Sequence, residues 1–179
     1  MARLPYPDPR ALAAETQAFL GKLPALNLFR MMAGGEGLLQ AFTQLGNHLL
    51  SRSKLASVLR ELAIIRVGVL SNARYERFHH ENIARTIGMS ESLIAAIGNG
   101  PDDPGFDDLQ RLVMRFTDDV VANVRASDST FQPLAARLSL QELQELTVTI
   151  GYYMLTSRFL ESFDIDIEAD AAALPPVIR

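Results

Sequence analysis

The chain has 179 residues, 48% of them apolar and 21% charged, with 11 Gly and 9 Pro, a composition that excludes a disordered, collagen-like or repeat protein. Its 17 Lys and Arg against 21 Asp and Glu leave a net charge of −4, which argues against gripping nucleic acid through phosphates. There is no cysteine, so disulfides, thiolate zinc sites and cysteine-based peroxidase or protease chemistry are excluded.

A chain of this size buries roughly 70% of its unfolded surface, enough for one core. One domain over 1–179 is expected, with an N-terminal helical extension over 1–26 and an extended tail over 167–179. In chain order, Asp8 before Pro9 reads as an N-cap with Pro at the first helical position, predicting a helix that runs to Gly21. Short helical segments follow over 26–32 and 38–50, separated by Gly34, Gly35 and Gly37. Ser53 reads as the cap of a long helix over 54–71 that Asn72 ends. A helix over 74–87 stops at Gly88, a residue suited to the left-handed position after a helix. Ser90 caps a short helix through Ile97, and the run Gly-Asn-Gly-Pro-Asp-Asp-Pro-Gly over 98–105 is the clearest loop, dividing two helical halves.

Beyond that loop, Leu109, Leu112, Val113, Phe116, Val120 and Val121 form one stripe on a helix over 107–124. A shorter helix is expected over 128–138. Ser139 with Glu142 fits a capping box that opens a long apolar helix to Phe163. The fold class read from this punctuation is all-α, with eight or nine helices. The first ten residues lack the apolar run of a signal peptide, and the apolar stretch over 62–70 is interrupted by Arg66 and too short for a bilayer. A cytoplasmic protein with no membrane partner is expected.

Two helices carry polar residues on apolar faces. The segment over 55–70 is apolar nearly all round, as in a central buried helix, yet Glu61 sits in its middle, with Gly68 two turns on leaving room above the carboxylate. A buried carboxylate costs several kcal/mol unless paired, hydrogen-bonded or protonated. Glu61 is therefore either a structural ion-pair partner of Arg60, Arg66 or another arginine, or a functional group. On the next helix Glu76, His80, Ile83, Ala84 and Ile87 share one face, flanked by Tyr75 and His79. Glu76 and His80, four residues apart, can touch; a carboxylate beside imidazole fixes its tautomer and raises its pKa, as a general acid or base requires. The alternative is a satisfied core histidine.

Two other patterns carry less. Glu76 and His79 have the Glu-x-x-His spacing of di-iron bundles, but no second copy exists in the sequence, and no metal site is expected. Ala84, Gly88 and Ser90 imitate the turn of a helix-turn-helix, but the would-be recognition helix to Ile97 has no Lys or Arg. No nucleic-acid partner is expected.

The residues Arg60-Glu61-Leu62-Ala63-Ile64-Ile65-Arg66-Val67, then Tyr75-Glu76-Arg77-Phe78-His79-His80, then Ile83-Ala84 and Gly88-Met89-Ser90, resemble the carboxymuconolactone decarboxylase-like superfamily, with its AhpD-like all-helical fold. Asn27-Leu28-Phe29-Arg30 upstream, and Gly151-Tyr152-Tyr153 to Phe159-Leu160 downstream, suit its longer members. The peroxidase branch uses a Glu, a Cys-x-x-Cys and a His. With Glu61 as that Glu, the cysteines would fall at Ala73 and Glu76 and the His at His80, so both sulfur positions are empty. Where the decarboxylase-type branch carries Trp after its acidic residue, this chain has Arg77. The resemblance implies a cofactor-free lyase acting on a small oxygenated lactone or keto carboxylate. His80 would donate the proton, Glu76 would orient it, and Glu61 would be a second acid–base group or would stabilise His80. Tyr75 and His79 would bind the substrate. It also implies a homo-oligomer. The competing expectation is a catalytically degenerate member serving as an oligomeric binding protein.

Overall fold

The computed structural model describes residues 2–169. Among them the chain forms nine α-helices: α1 (Ala14–Leu20), α2 (Asn27–Met32), α3 (Leu38–Ser51), α4 (Ser57–Leu70), α5 (Arg74–Thr86), α6 (Glu91–Asn99), α7 (Asp108–Asn123), α8 (Asp128–Ala135) and α9 (Leu140–Phe163). The all-α expectation holds. α4 is the central element: Leu59 through Gly68 are buried without a break, and the helix packs on α5, α6, α7 and α9. Leu62, Ala63, Ile64 and Val67 have no exposed surface at all. Each large apolar side chain so buried contributes on the order of 1.5–3 kcal/mol, which is why this helix sits where it does.

Several boundaries depart from the sequence reading. Asp8 does cap Pro9, but the result is a single 3₁₀ turn (Pro9–Ala11); the chain extends at Leu12 and α1 starts again at Ala14. Ser53 does not cap α4, which begins four residues later behind Ala56. Glu145 of α9 is the reason: one carboxylate oxygen accepts from the Ser53 hydroxyl (2.7 Å) and from the backbone N–H groups of Lys54 (2.7 Å) and Leu55 (3.0 Å). A buried acceptor reaching from another helix outcompeted a local cap. The helix expected over 128–138 ends at Ala135. The capping box of Ser139 and Glu142 is present, and Asp107 with Gln110 forms a second one.

α4 and α5 are joined by a tight turn in which Asn72 is left-handed (φ 53°) and the N–H of Ala73 reaches back to the Gly68 carbonyl at 2.9 Å. The turn folds α5 back along α4. Gly68 serves this close approach rather than leaving space above Glu61: a Cβ there would lie 2.9 Å from Cγ of Arg77. After α9 a left-handed Asp164 turns the chain, and Ile165 is buried. The segment then passes the N-terminus, where Ala2 N–H donates to Asp166 (3.0 Å) and Arg3 N–H to the Phe163 carbonyl (2.9 Å). Residues 170–179, most of the tail expected to be extended, lie outside the described residues.

Candidate active site

The α4–α5 turn sets Glu61 and His80 face to face. His80 Nδ1 lies 2.7 Å from Glu61 Oε2, and the other Glu61 oxygen accepts from Arg60 Nε at 3.2 Å. A carboxylate only accepts, so Nδ1 carries the proton and the tautomer is fixed. Of the arginines weighed as partners of Glu61, Arg60 is the one that pairs. Arg66 is engaged elsewhere, in a two-bond pair with Asp118 (2.6 and 2.9 Å) and with the Ile97 carbonyl (3.1 Å).

On the opposite side of the ring, Nε2 of His80 is 3.7 Å from Glu76 Oε1, and the Tyr153 ring packs edge-on with centroids 4.7 Å apart. Glu61, Glu76 and His80 are 0%, 4% and 5% exposed, so these charges interact through protein rather than water. Burial pushes the Glu76 carboxyl above its ordinary value, with His80 and His79 pulling only partly the other way. Burial alone would lower the His80 pKa, but the Glu61 carboxylate outweighs it and holds the imidazole above its usual range. The two shifts run the same way: the site favours the protonated forms of both His80 and Glu76 more than water would.

These groups open onto a cavity of about 850 Å³, within the range of small-molecule sites. Tyr75, Glu76, His79 and His80 of α5 line it, with Tyr152 and Tyr153 of α9 opposite. α3 adds a polar strip that includes Gln40, Thr43 and Asn47, while Leu28, Phe29 and Phe42 supply apolar wall. The segment expected to be a mere N-terminal extension contributes Phe19, Lys22 and Leu23 to the same lining. Glu61 is not on the cavity surface; it stands behind His80. Tyr75 and His79 are on the wall, but the Tyr75 hydroxyl and His79 Nε2 are already used. The Tyr75 hydroxyl donates to Glu168 in a short hydrogen bond, and His79 Nε2 meets the same carboxylate at 2.8 Å. His79, the histidine of the Glu-x-x-His spacing, is thus turned to Glu168 while Glu76 faces His80.

Sequence reading therefore named five of the polar groups around this cavity and missed others, Tyr153 and Glu168 among them. Tyr153 lay inside an apolar helix with nothing to single out its hydroxyl. Glu168 lay in an acidic stretch taken for tail, yet only 9% of its side chain is exposed.

The sequence profile of the carboxymuconolactone decarboxylase family matches residues 36–119, which include Glu61, Glu76 and His80. No curated protein matches the chain in sequence. Among solved structures, an uncharacterized peroxidase-related protein from Silicibacter is 20% identical with a TM-score of 0.81, covering 96% of this chain and 93% of that one. An uncharacterized peroxidase-related protein with an alkylhydroperoxidase AhpD core, from Ralstonia eutropha, is 16% identical with a TM-score of 0.80, covering 95% and 94%. The debrominase Bmp8, solved in one structure with 2,3,4-tribromopyrrole, is 19% identical with a TM-score of 0.72, covering 88% and 83%. At these identities the likeness is one of fold. The profile over 36–119 and the shared fold together support a place in the carboxymuconolactone decarboxylase/AhpD-like superfamily.

Proposed function

We propose that the protein is a cofactor-free acid–base enzyme, a decarboxylase-type lyase acting on a small oxygenated lactone or keto carboxylate. One observation carries this reading: a buried histidine, locked by Glu61 on one ring nitrogen, turns the other toward an 850 Å³ cavity and toward a second buried carboxyl. A merely satisfied core histidine has no need of a chamber.

In the proposed reaction the bond between the substrate carbon and its carboxylate breaks. The electron pair moves onto that carbon and into the neighbouring carbonyl or lactone as an enolate, and CO2 leaves. The apolar wall at Leu28, Phe29 and Phe42 disfavours a charged carboxylate and favours neutral CO2. The His80 imidazolium stabilises the developing oxyanion and then delivers its Nε2 proton to carbon. Glu61 keeps the ring aligned and supports its charge. Glu76, with its raised pKa, returns a proton to His80, and water in the cavity restores Glu76. Glu61, with the shorter contact, thus takes the orienting part, and Glu76 becomes the proton reserve.

A small-molecule partner and a cytoplasmic enzyme are implied by this reading. Among the described residues no helix is long and apolar enough to cross a membrane. A second copy of the chain is the other proposed partner. Val148 and Leu155, two turns apart on one face of α9, are 45% and 54% exposed, and sedimentation velocity of the wild type against Leu155→Glu tests this.

The test of the reaction is steady-state turnover on a panel of lactone and β-keto carboxylates, followed by CO2 release. His80→Ala should lose on the order of 10²–10⁴-fold in kcat. Full activity in that variant would remove the mechanism.

A further inference from the structure

His79 and His80 are neighbours in sequence, and each meets a buried carboxylate, but the two carboxylates come from opposite directions. Glu61 approaches from α4. Glu168 comes from beyond the end of α9, in the segment that crosses the N-terminus. One Glu168 oxygen takes His79 Nε2 (2.8 Å); the other accepts from the Tyr75 hydroxyl and from the backbone N–H of Asn27 (2.6 Å). Asn27 is the first residue of α2, so that N–H has no partner within its own helix. The segment is pinned on either side: Ile165 is buried, Asn27 Nδ2 donates to the Asp166 carbonyl (2.9 Å), and Ala2 N–H donates to the Asp166 carboxylate (3.0 Å).

Three donors from two helices thus converge on one carboxylate. Burial would raise its pKa, but the hydrogen bonds from His79, Tyr75 and Asn27 prevail and hold it down to about 2, so Glu168 is ionised at any ordinary pH. Tyr75 and His79 are one wall of the cavity; Leu26, Leu28 and Phe29 of the α2 region are the adjoining wall. Glu168 itself is not on the cavity surface. We infer that Glu168 is a positioning residue of the site: it ties the α5 wall to the α2 wall and fixes the orientation of Tyr75 and His79 beside His80. With Nε2 committed to Glu168, His79 has Nδ1 left for a ligand, while His80, with Nδ1 committed to Glu61, has Nε2 left. The two adjacent rings are locked through opposite nitrogens, so the cavity is offered Nδ1 of one histidine and Nε2 of the next.

The kinetic part of this inference rests on the proposed function; the structural part does not. Protons shared between histidine and a buried carboxylate resonate far downfield, so ¹H–¹⁵N NMR of the full-length protein should show two such signals. Glu168→Gln should abolish the His79 signal, keep the His80 signal, and change the ring-current shifts that Tyr75 imposes on His79 across their 4.5 Å centroid separation. On whichever substrate of the panel is turned over, Glu168→Gln should lower kcat/KM about 10- to 100-fold, the usual cost of misaligned groups around a reacting centre, and Glu168→Asp should recover part of it. Two results would overturn the inference: both downfield signals surviving in Glu168→Gln, or loss of the His79 signal with kcat/KM unchanged. If the wild type turns over nothing on the panel, the lyase reading falls, and the NMR signals alone decide whether Glu168 fixes Tyr75 and His79.

Discussion

Glu61 and His80 stand 19 residues apart in the chain and 2.7 Å apart in space, joined across a turn whose one left-handed residue is Asn72. The pair is the hinge of the site's electrostatics. With Glu61 in place, His80 can be cationic although almost wholly buried; without it, burial would favour the neutral ring.

Glu61→Gln keeps the shape and removes the charge. Two buried cations, Arg60 and His80, then lose their shared counter-charge. Leaving a buried charge uncompensated costs about 3–5 kcal/mol, unless His80 escapes by losing its proton. The expected outcome is an active-site histidine that titrates at lower pH, with turnover surviving only on the acid side of the wild-type profile. Sign and window follow from the raised His80 pKa. Its stabilising contribution is fully present below the ordinary histidine value of 6.5 and is lost as pH rises through the folded-state value. Urea unfolding of wild type and variant from pH 5 to 9 should therefore show the gap narrowing as pH rises. A constant gap would mean that His80 and Glu61 are not coupled.

Glu76 has the opposite character: a carboxyl raised mainly by burial, not one held ionised by a network of donors. A raised carboxyl stabilises the fold below its ordinary value of 4.5 and loses that contribution as pH rises through the folded value. Glu76→Gln should therefore raise Tm at pH 8 more than at pH 5. If Glu76 recharges His80, the same substitution slows turnover most at the acid end of the profile, where the carboxyl still holds its reserve proton. A variant that is more stable and yet less active would separate the functional group from a structural one.

Glu168 supplies a window at the other end of the scale. Its pKa is held down to about 2 from an ordinary 4.5, so its contribution is complete above about pH 4.5 and disappears as pH falls toward 2. Thermal melts of Glu168→Gln against wild type should show a Tm deficit at pH 6 that closes between pH 5 and 2. Other depressed carboxylates, Asp119 among them, titrate in the same acid range, but they are common to both proteins and cancel in the difference.

How much of this was legible in the sequence follows a physical rule. Features set by near neighbours could be read: the capping box of Ser139 and Glu142, the stop at Asn72, the buried α4 and the i, i+4 approach of Glu76 to His80 all depend on separations of a few residues. Contacts that close over the length of the chain could not. Ser53 looked like a helix cap because nothing local announces that Glu145, 92 residues away, takes its hydroxyl. Glu168 looked like solvated tail because its partners Tyr75, His79 and Asn27 lie 93, 89 and 141 residues upstream. The Glu61–His80 pair was intermediate. Each residue stood out as polar on an apolar face, and the resemblance to a family joined them, but which carboxylate would take Nδ1 depended on the pitch of two packed helices.

Val124 is the one β-branched residue at positive φ (68°) among the described residues, and at 90% exposed it gains nothing from packing in return. It closes α7 where an N–H must reach the Val120 carbonyl. Positive φ costs a side chain with a Cβ roughly 1–2 kcal/mol, part of which glycine gives back as entropy in the unfolded chain. Val124→Gly should be stabilising by about 0.5–1 kcal/mol, a rise of a few degrees in Tm, with turnover unchanged because α7 is not part of the cavity wall. A fall in Tm would show that the folded chain does not hold this backbone conformation.

Gly46 tests the α3–α9 contact that shapes the far side of the cavity. A Cβ at this position would collide with the Tyr152 hydroxyl and lie 3.0 Å from its Cζ. Tyr152 has little room to retreat. Its hydroxyl donates to the Phe42 carbonyl at 3.1 Å, its ring stacks on Phe42 with centroids 4.7 Å apart, and Tyr153 packs edge-on against it at 5.2 Å. Overpacking of this kind costs about 1–3 kcal/mol, so Gly46→Ala should lower the urea midpoint without changing the m-value. The strain also has a direction: Tyr152 pressed toward Tyr153 displaces the ring that rests on His80. Loss of kcat in Gly46→Ala should therefore exceed any rise in KM, and the double variant Gly46→Ala/Tyr152→Phe, which removes the colliding oxygen, should restore both stability and rate. Stability recovered without rate would show that the Tyr152 hydroxyl itself, and not the packing it transmits, matters to the reaction.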